Sequence, residues 1–228
     1  MHIPDGYLGP PTCAVLYAAM LLVWAAAAAK VKKTLKAKQI PLLAIAAAFS
    51  FVIMMFNIPI PGGSSGHAVG GVIVALLLGP WAATIAVTVA LVIQALLFGD
   101  GGITALGANC FNMAFILPFT GYYVYKLFSA GAKTGSVRQL FAAGAGGYIG
   151  LNVAAICAGI EFGLQPMLHH TAAGQALYCP YGLNTAVPAM AIGHLLVFGW
   201  IEAIATALIL VYITKNMPEM TIDGGLDK

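Results

Sequence analysis

All ten lysines and arginines of this chain fall into three groups, separated by long apolar stretches. Lys30, Lys32, Lys33, Lys36 and Lys38 form the first group, Lys126, Lys133 and Arg138 the second, and Lys215 and Lys228 the last. Seven apolar stretches surround them, at residues 11–29, 41–56, 68–78, 81–98, 111–128, 140–160 and 187–214. Threaded seven times through a bilayer, the chain puts every basic residue on one side; six or eight crossings break that segregation. Basic residues collect on the cytoplasmic side. The pattern therefore predicts an all-α integral membrane protein, a bundle of about seven transmembrane helices with the N-terminus outside and the C-terminus cytoplasmic.

Composition agrees. Only 7% of the 228 residues are charged and 61% are apolar, where a soluble domain carries about 25% charged residues. The chain reads as a single transmembrane domain over 1–228 in the cell (plasma) membrane, multi-pass, with a short cytoplasmic tail at 216–228. A net charge of +3 gathered beside the membrane offers no basic face for nucleic acid. The opening Met1-His2-Ile3-Pro4-Asp5-Gly6 has no basic region before the first apolar stretch, so no cleavable signal is expected. Met1 is expected to be retained, because the bulky His2 hinders removal of an initiator methionine. The stretch 68–78 is too short to cross a hydrocarbon core of about 30 Å at about 1.5 Å per residue. It reads as a tilted or partial helix reached through a buried loop, and Gly79-Pro80 as a tight turn after it.

The side without lysines collects His2, Asp5, His67, Asp100, Glu161, His169 and His170. Acids and imidazoles with no competing ammonium suit a cation. Cys13, Cys110, Cys157 and Cys179 show no C-x-x-C spacing and read as small buried hydrophobes. Small residues four apart, such as Ala44 with Ala48 and Gly146 with Gly150, permit close helix approach, either within the bundle or against a partner.

The first two residues carry the most chemistry. The Met1 amine, the His2 backbone nitrogen and the His2 Nδ1 close a five-membered and a six-membered chelate ring in one plane. Planar nitrogen coordination suits Ni(II) or Cu(II), whereas Zn(II) prefers a tetrahedron and Mg(II) prefers oxygen. One corner of the square stays open. His67, at the end of Pro61-Gly62-Gly63-Ser64-Ser65-Gly66 on the same side, is the candidate fourth ligand. Residues 1–10 then read as a metal-binding segment folded back into the bundle, with Asp5 fixing its turn. Asn109 and Asn112, and more weakly Ser64 and Ser65, could orient an imidazole from behind; capping of a helix is the competing account of Asn109. His169 and His170 read as solvated. His194 and Glu202 lie in the last stretch with no role assignable, although an acid within a membrane is a functional candidate by default.

Met1-His2-Ile3-Pro4-Asp5-Gly6-Tyr7-Leu8, Ser65-Gly66-His67, Leu78-Gly79-Pro80-Trp81-Ala82 and Gly107-Ala108-Asn109-Cys110-Phe111-Asn112-Met113 resemble the CbiM/NikM family over most of the chain. Its members are the substrate-binding membrane components of energy-coupling-factor (ECF) transporters for nickel and cobalt. The resemblance implies seven helices and an ion held by Met1, His2 and His67. It also implies partners: a transmembrane coupling protein docked on an Ala-rich surface such as that of Ala44 and Ala48, two cytoplasmic ATPase subunits and a small auxiliary membrane subunit. Pro4-Asp5 is more like the nickel members, where cobalt members more often carry Met-Glu. The expected cargo is Ni(II), with Co(II) possible, and no organic cofactor.

No G-x-x-x-x-G-K-[ST] occurs, so ATP hydrolysis is expected elsewhere and the chain itself is not expected to be an enzyme. A stand-alone divalent-cation channel or secondary carrier is the alternative. It calls for ionisable residues along the whole path, and only Glu202 lies in the inner half. An intramembrane metalloenzyme is a third reading; no H-E-x-x-H is present, and a filled four-nitrogen plane leaves no position for activating water.

Overall fold

Two prolines open the first helix after an extended segment: α1 runs Pro10–Thr34, with Pro10 supplying the fixed φ that a helix start tolerates. A 3-10 turn at Ala37–Gln39 leads into α2, Ile40–Met54. A small antiparallel pair follows, β1 (Ile58–Ile60) and β2 (Ser64–Gly66), with Ile58 opposite Gly66. Next come the eight-residue α3 (Gly71–Leu78) and α4 (Pro80–Phe98). α5 spans 106–129, and α6 (Val137–Leu168) and α7 (Leu183–Asn216) complete seven continuous helices among the described residues. The computed structural model describes residues 1–60 and 64–217. Most of the tail at 216–228, and the side chains of Ser64 and Ser65, lie outside the described residues.

Four helices, α1, α4, α6 and α7, are long and apolar enough to cross a membrane, and α2 is a shorter apolar helix. Their outward faces carry Leu22, Leu97, Phe141, Leu196 and Leu208, each more than half exposed. Apolar side chains in that number need lipid, not water, around them. The protein is a multi-pass membrane protein.

The helices pack through small residues. A Cβ on Gly146 would sit 2.7 Å from the Gly121 carbonyl, and one on Gly150 would sit 2.8 Å from the Leu117 carbonyl, so α6 meets α5 almost backbone to backbone. Gly159 and Gly163 admit α7 in the same way, against Val187 and Leu183. These glycines serve packing within the bundle. Ala44 and Ala48 instead face outward on α2.

α3 is the partial helix expected from its length, and it is reached through the buried residues 67–70. Its N-terminus leaves backbone N–H groups without helical acceptors deep in the bundle, and burial makes each one costly. Glu202 of α7 answers this. Its Oε2 accepts from Val69 N at 2.7 Å and from Gly70 N at 3.0 Å. Glu202 therefore anchors the loop that carries His67.

Three helices change to π-helical turns: α4 at Gln94–Phe98, α5 at Cys110–Ile116 and α7 at His194–Phe198. Such turns often mark functional positions. Here they begin at or beside Gln94, Asn109 and His194, whose side chains are all buried.

Candidate metal centre

The first nine residues fold back among α4, α5 and α6. Ile3 and Leu8 are buried with Ala105, Ala108 and Ala158, and Met1 joins the main core. Polar clamps hold the backbone. Asn109 Oδ1 accepts from Ile3 N at 2.7 Å while Asn109 Nδ2 donates to the Ile3 carbonyl at 3.0 Å. That carbonyl also accepts from Gly102 N at 2.9 Å. Asp5 accepts from Ile103 N at 3.1 Å, Thr104 N at 2.8 Å and Thr104 Oγ1 at 2.5 Å, and these bonds hold its carboxyl below the usual range. Gly9 N donates to Gln165 Oε1 at 2.9 Å.

Two imidazoles meet at the head of this segment. His67 Nε2 lies 3.0 Å from His2 Nδ1, with ring centroids 4.8 Å apart. His67 Nδ1 sits 3.0 Å from the Ala68 carbonyl. A carbonyl only accepts, so Nδ1 bears the proton and Nε2 bears the lone pair. His2 Nε2 lies 3.1 Å from Gln94 Oε1. Gln94 Nε2 faces Met55 Sδ at 3.8 Å, which turns the amide oxygen toward His2. His2 therefore donates from Nε2, and its lone pair lies on Nδ1. Two nitrogen lone pairs then confront each other in a buried site, an arrangement that repels unless a positive centre joins them. With metal–nitrogen bonds of about 2.0 Å, adjacent corners of a square are about 2.8 Å apart and opposite corners about 4 Å. The observed 3.0 Å has the spacing of adjacent donors.

Electrostatics keep these donors free of protons. Burial lowers the Met1 amine from 8.0 to about 6, although Asp100 opposes the shift. Burial, and then the charge of that amine, bring His2 down to about 4. His67 lies well below 6.5 for the same reasons, with His2 and His194 adding to the effect. Asp100 Oδ1 stands 3.5 Å from His2 Nδ1, the nearest acid to the pair. Among the described residues no three His, Cys, Asp or Glu side chains converge as a ligand group. The nitrogen-rich cluster here is two imidazoles at the start of the backbone.

Met1, His2 and His67 thus come together, and other candidates separate from them. Asn109 neither caps a helix nor touches an imidazole, because it clamps Ile3. Asn112 Nδ2 donates to Glu161 Oε2 at 2.8 Å, away from the histidines. His169 Nε2 lies 3.2 Å from Thr12 Oγ1, and exposed His170 bonds the Pro166 carbonyl. His194 donates from Nδ1 to the Met190 carbonyl at 2.7 Å and packs edge-on against Phe198. Gln94 is the residue that reading the sequence missed. Its one signal is an amide side chain within an apolar stretch whose other polar residues are two threonines.

Gly101 and Gly102 let the 99–105 loop lie against the segment. Gly101 has φ +88°, and its missing Cβ would fall 3.0 Å from Asn109 Nδ2 and 3.2 Å from His2 Cδ2. A Cβ on Gly102 would sit 2.3 Å from Asp5 Oδ1 and 2.4 Å from Asp5 N. Gly102→Ala must push residues 3–5 away, at a cost of about 1–3 kcal/mol. Nickel titration of that variant should show affinity reduced roughly tenfold to hundredfold. Unchanged affinity would mean that the clamp does not set the site.

The fold, with this buried imidazole pair near its first residues, is that of a multi-pass membrane protein. Two solved structures share the architecture, one described as a truncated transition metal transporter and the other as a transition metal transporter. Each is 55% identical to this chain with a TM-score of 0.89 over 94% of it, and the match covers 99% and 93% of those chains respectively. Residues 2–220 match the CbiM family, described as a cobalt uptake substrate-specific transmembrane region, and the chain belongs to that family. It is 54% identical over 220 residues, 96% of its length, to the fused nickel transport protein NikMN of Rhodobacter capsulatus. It has the same identity and coverage to the probable fused nickel transport protein LarMN of Lactiplantibacillus plantarum. It spans 63% and 66% of those two proteins.

Proposed function

We propose that this chain is the substrate-specific subunit of an ATP-driven ECF-type importer and that its cargo is Ni(II), with Co(II) the second candidate. The Met1 amine, the His2 amide nitrogen, His2 Nδ1 and His67 Nε2 form the square. The observation that carries this is the facing pair of lone pairs, with each outer N–H engaged by Ala68 or Gln94. In such a plane the amide nitrogen lies opposite His67, which makes His67 Nε2 and His2 Nδ1 neighbours, as their spacing requires. The nickel transport named for two relatives supports the choice of metal. Copper would bind more tightly to the same donors, so availability contributes to selectivity.

Lysine segregation supports an N-terminus outside, so the ion arrives from the extracellular side. The chain performs no covalent step. A transmembrane coupling protein, two cytoplasmic ATPase subunits and a small auxiliary membrane subunit supply coupling and ATP hydrolysis. The exposed Ala44 and Ala48 give the coupling protein a close-approach face on α2. The channel or carrier reading is not favoured, because Glu202, its one inner ionisable group, is held through Oε2 by the N–H groups of residues 69 and 70. Reconstitution with these partners tests the coupling: nickel uptake that needs ATP hydrolysis is expected, and uptake by this chain alone, driven only by a gradient, would favour the alternative.

The ligand set predicts a particular pH dependence. Metal binding expels whatever protons the donors carry. Above pH 6 the amine and both imidazoles are already free, so only the amide proton leaves and affinity rises about tenfold per pH unit. Below about 6 the amine is protonated too, and the slope doubles to about a hundredfold per unit. An ordinary amine would put that break near 8. Competitive titrations from pH 5 to 8.5 should therefore show the break near 6; a flat profile would exclude the amide and amine from the site.

A further inference from the structure

Seven buried side-chain atoms have no hydrogen-bond partner among the described residues, and four of them follow one seam of the bundle. They are His194 Nε2, Glu202 Oε1 and Thr206 Oγ1 of α7 and Asn152 Oδ1 of α6, on residues at most 6% exposed. The helices are close there. A Cβ on Gly199 would fall 2.4 Å from Asn152 Nδ2, and one on Gly147 would fall 3.0 Å from Thr206 Oγ1. In three of the four residues the other polar atom is already committed. His194 Nδ1 donates to the Met190 carbonyl, Asn152 Nδ2 donates to the Tyr148 carbonyl, and Glu202 Oε2 accepts from Val69 N and Gly70 N. A buried acceptor without a donor is costly. Four of them in a row suit a visitor that brings positive charge and needs lone pairs.

The row starts beside the metal centre. Met190, one turn before His194, packs against the cluster that holds Ile3. Phe198, one turn after it, lies so close to Gly66 that a Cβ there would meet its ring at 2.4 Å. His194 thus stands between the N-terminal segment and the His67 loop, close enough to the Met1 amine for its charge to act on the ring. It does not converge with His2 and His67 as a third ligand, so its lone pair is a separate station. The row then runs toward the lysine end of α7, through Asn152 opposite Gly199, Glu202 and Thr206. At about 1.5 Å per residue the steps are about 4–8 Å along the axis. Imidazole and oxygen atoms taken singly hold a divalent ion far less tightly than a four-nitrogen plane, and an ion leaves a tight site through successive weaker ones. One turn below Thr206, the buried Leu210 closes the row; it also lines a cavity of about 180 Å³ between the start of α6 and the end of α7. The chain by itself is therefore plugged, not an open pore.

We propose that this α6–α7 seam is the inward release path of the nickel ion, with His194 Nε2 as the first acceptor beyond the square. The path rests on the reading of this chain as a nickel importer, but not on what drives the import. The test pairs two measurements on each variant: nickel titration with the visible spectrum of the purified chain, and uptake of radioactive nickel by cells making the chain with its companion subunits. His194→Leu should leave spectrum and affinity within about twofold of the parent, because the square keeps its four donors, and should lower uptake about tenfold or more. Thr206→Val, nearly the same in shape, should lower uptake about threefold with affinity again unchanged. Ser50→Ala removes an equally buried and unpartnered hydroxyl from α2, outside the seam, and should keep uptake within about twofold. Parental uptake in a folded His194→Leu chain, a loss of affinity in it as large as the loss of uptake, or an equal loss in Ser50→Ala would overturn the path. Parental uptake that persists when ATP hydrolysis is blocked would instead overturn the ATP-driven reading, and the ratios of variant to parent would still decide the path.

Discussion

Acetylation of the Met1 amine is expected to weaken nickel binding by about two to three orders of magnitude and leave the bundle intact. The acetyl group takes up the amine lone pair, which gives up one donor and leaves the chelate without its terminal anchor. Structural four-donor sites bind with about 10–16 kcal/mol, so one donor is worth about 3–4 kcal/mol, or roughly 10²–10³ in affinity. Burial adds to the loss, because Met1 is 9% exposed and an acetyl group has little room beside it. Isothermal titration of the acetylated and authentic chains, with melting temperature as the control for folding, measures it. Undiminished affinity in a folded, acetylated chain would remove the amine from the ligand set.

His67→Ala should cost a similar factor of about 10²–10³, by another route. The amine, amide and His2 Nδ1 remain, so the variant should still take up nickel weakly, with water or a foreign ligand at the fourth corner. Its visible spectrum should shift to lower energy, because one strong nitrogen donor has gone. Added imidazole should partly restore both colour and affinity. His67 is buried at the end of a loop that Glu202 anchors independently, so the loop should survive the truncation. A variant with unchanged spectrum and affinity would show that His67 stands beside the ion without binding it.

The fold was legible wherever a local property determines it. Lysine segregation and apolar length indicated seven helices, and the eleven-residue stretch ending at Leu78 indicated a helix too short to span. The chelate was legible for a similar reason: its rings depend only on atoms of residues 1 and 2. What stayed hidden depends on partners far along the chain. Glu202 caps a loop 133 residues before it, Asn109 clamps Ile3 across 106 and Gln94 holds His2 across 92. Each of these polar residues is forced to find a partner because it is buried in a bundle that water does not reach, and spacing in the sequence does not name that partner. The π-helical turns at Gln94, Cys110 and His194 leave no trace in apolar periodicity either, since each keeps an apolar run intact. Asn109 shows the consequence. Its position suited a cap or an imidazole partner equally, and its actual contact is the backbone of the metal-binding segment.

The most direct test is a crystal structure of the nickel-loaded chain, with its authentic first residue, collected at the nickel absorption edge. A single anomalous peak is expected in one plane with the Met1 nitrogen, the His2 backbone nitrogen, His2 Nδ1 and His67 Nε2, each about 2.0 Å away. A peak centred on other side chains, with residues 1 and 2 turned out of the bundle, would contradict the account.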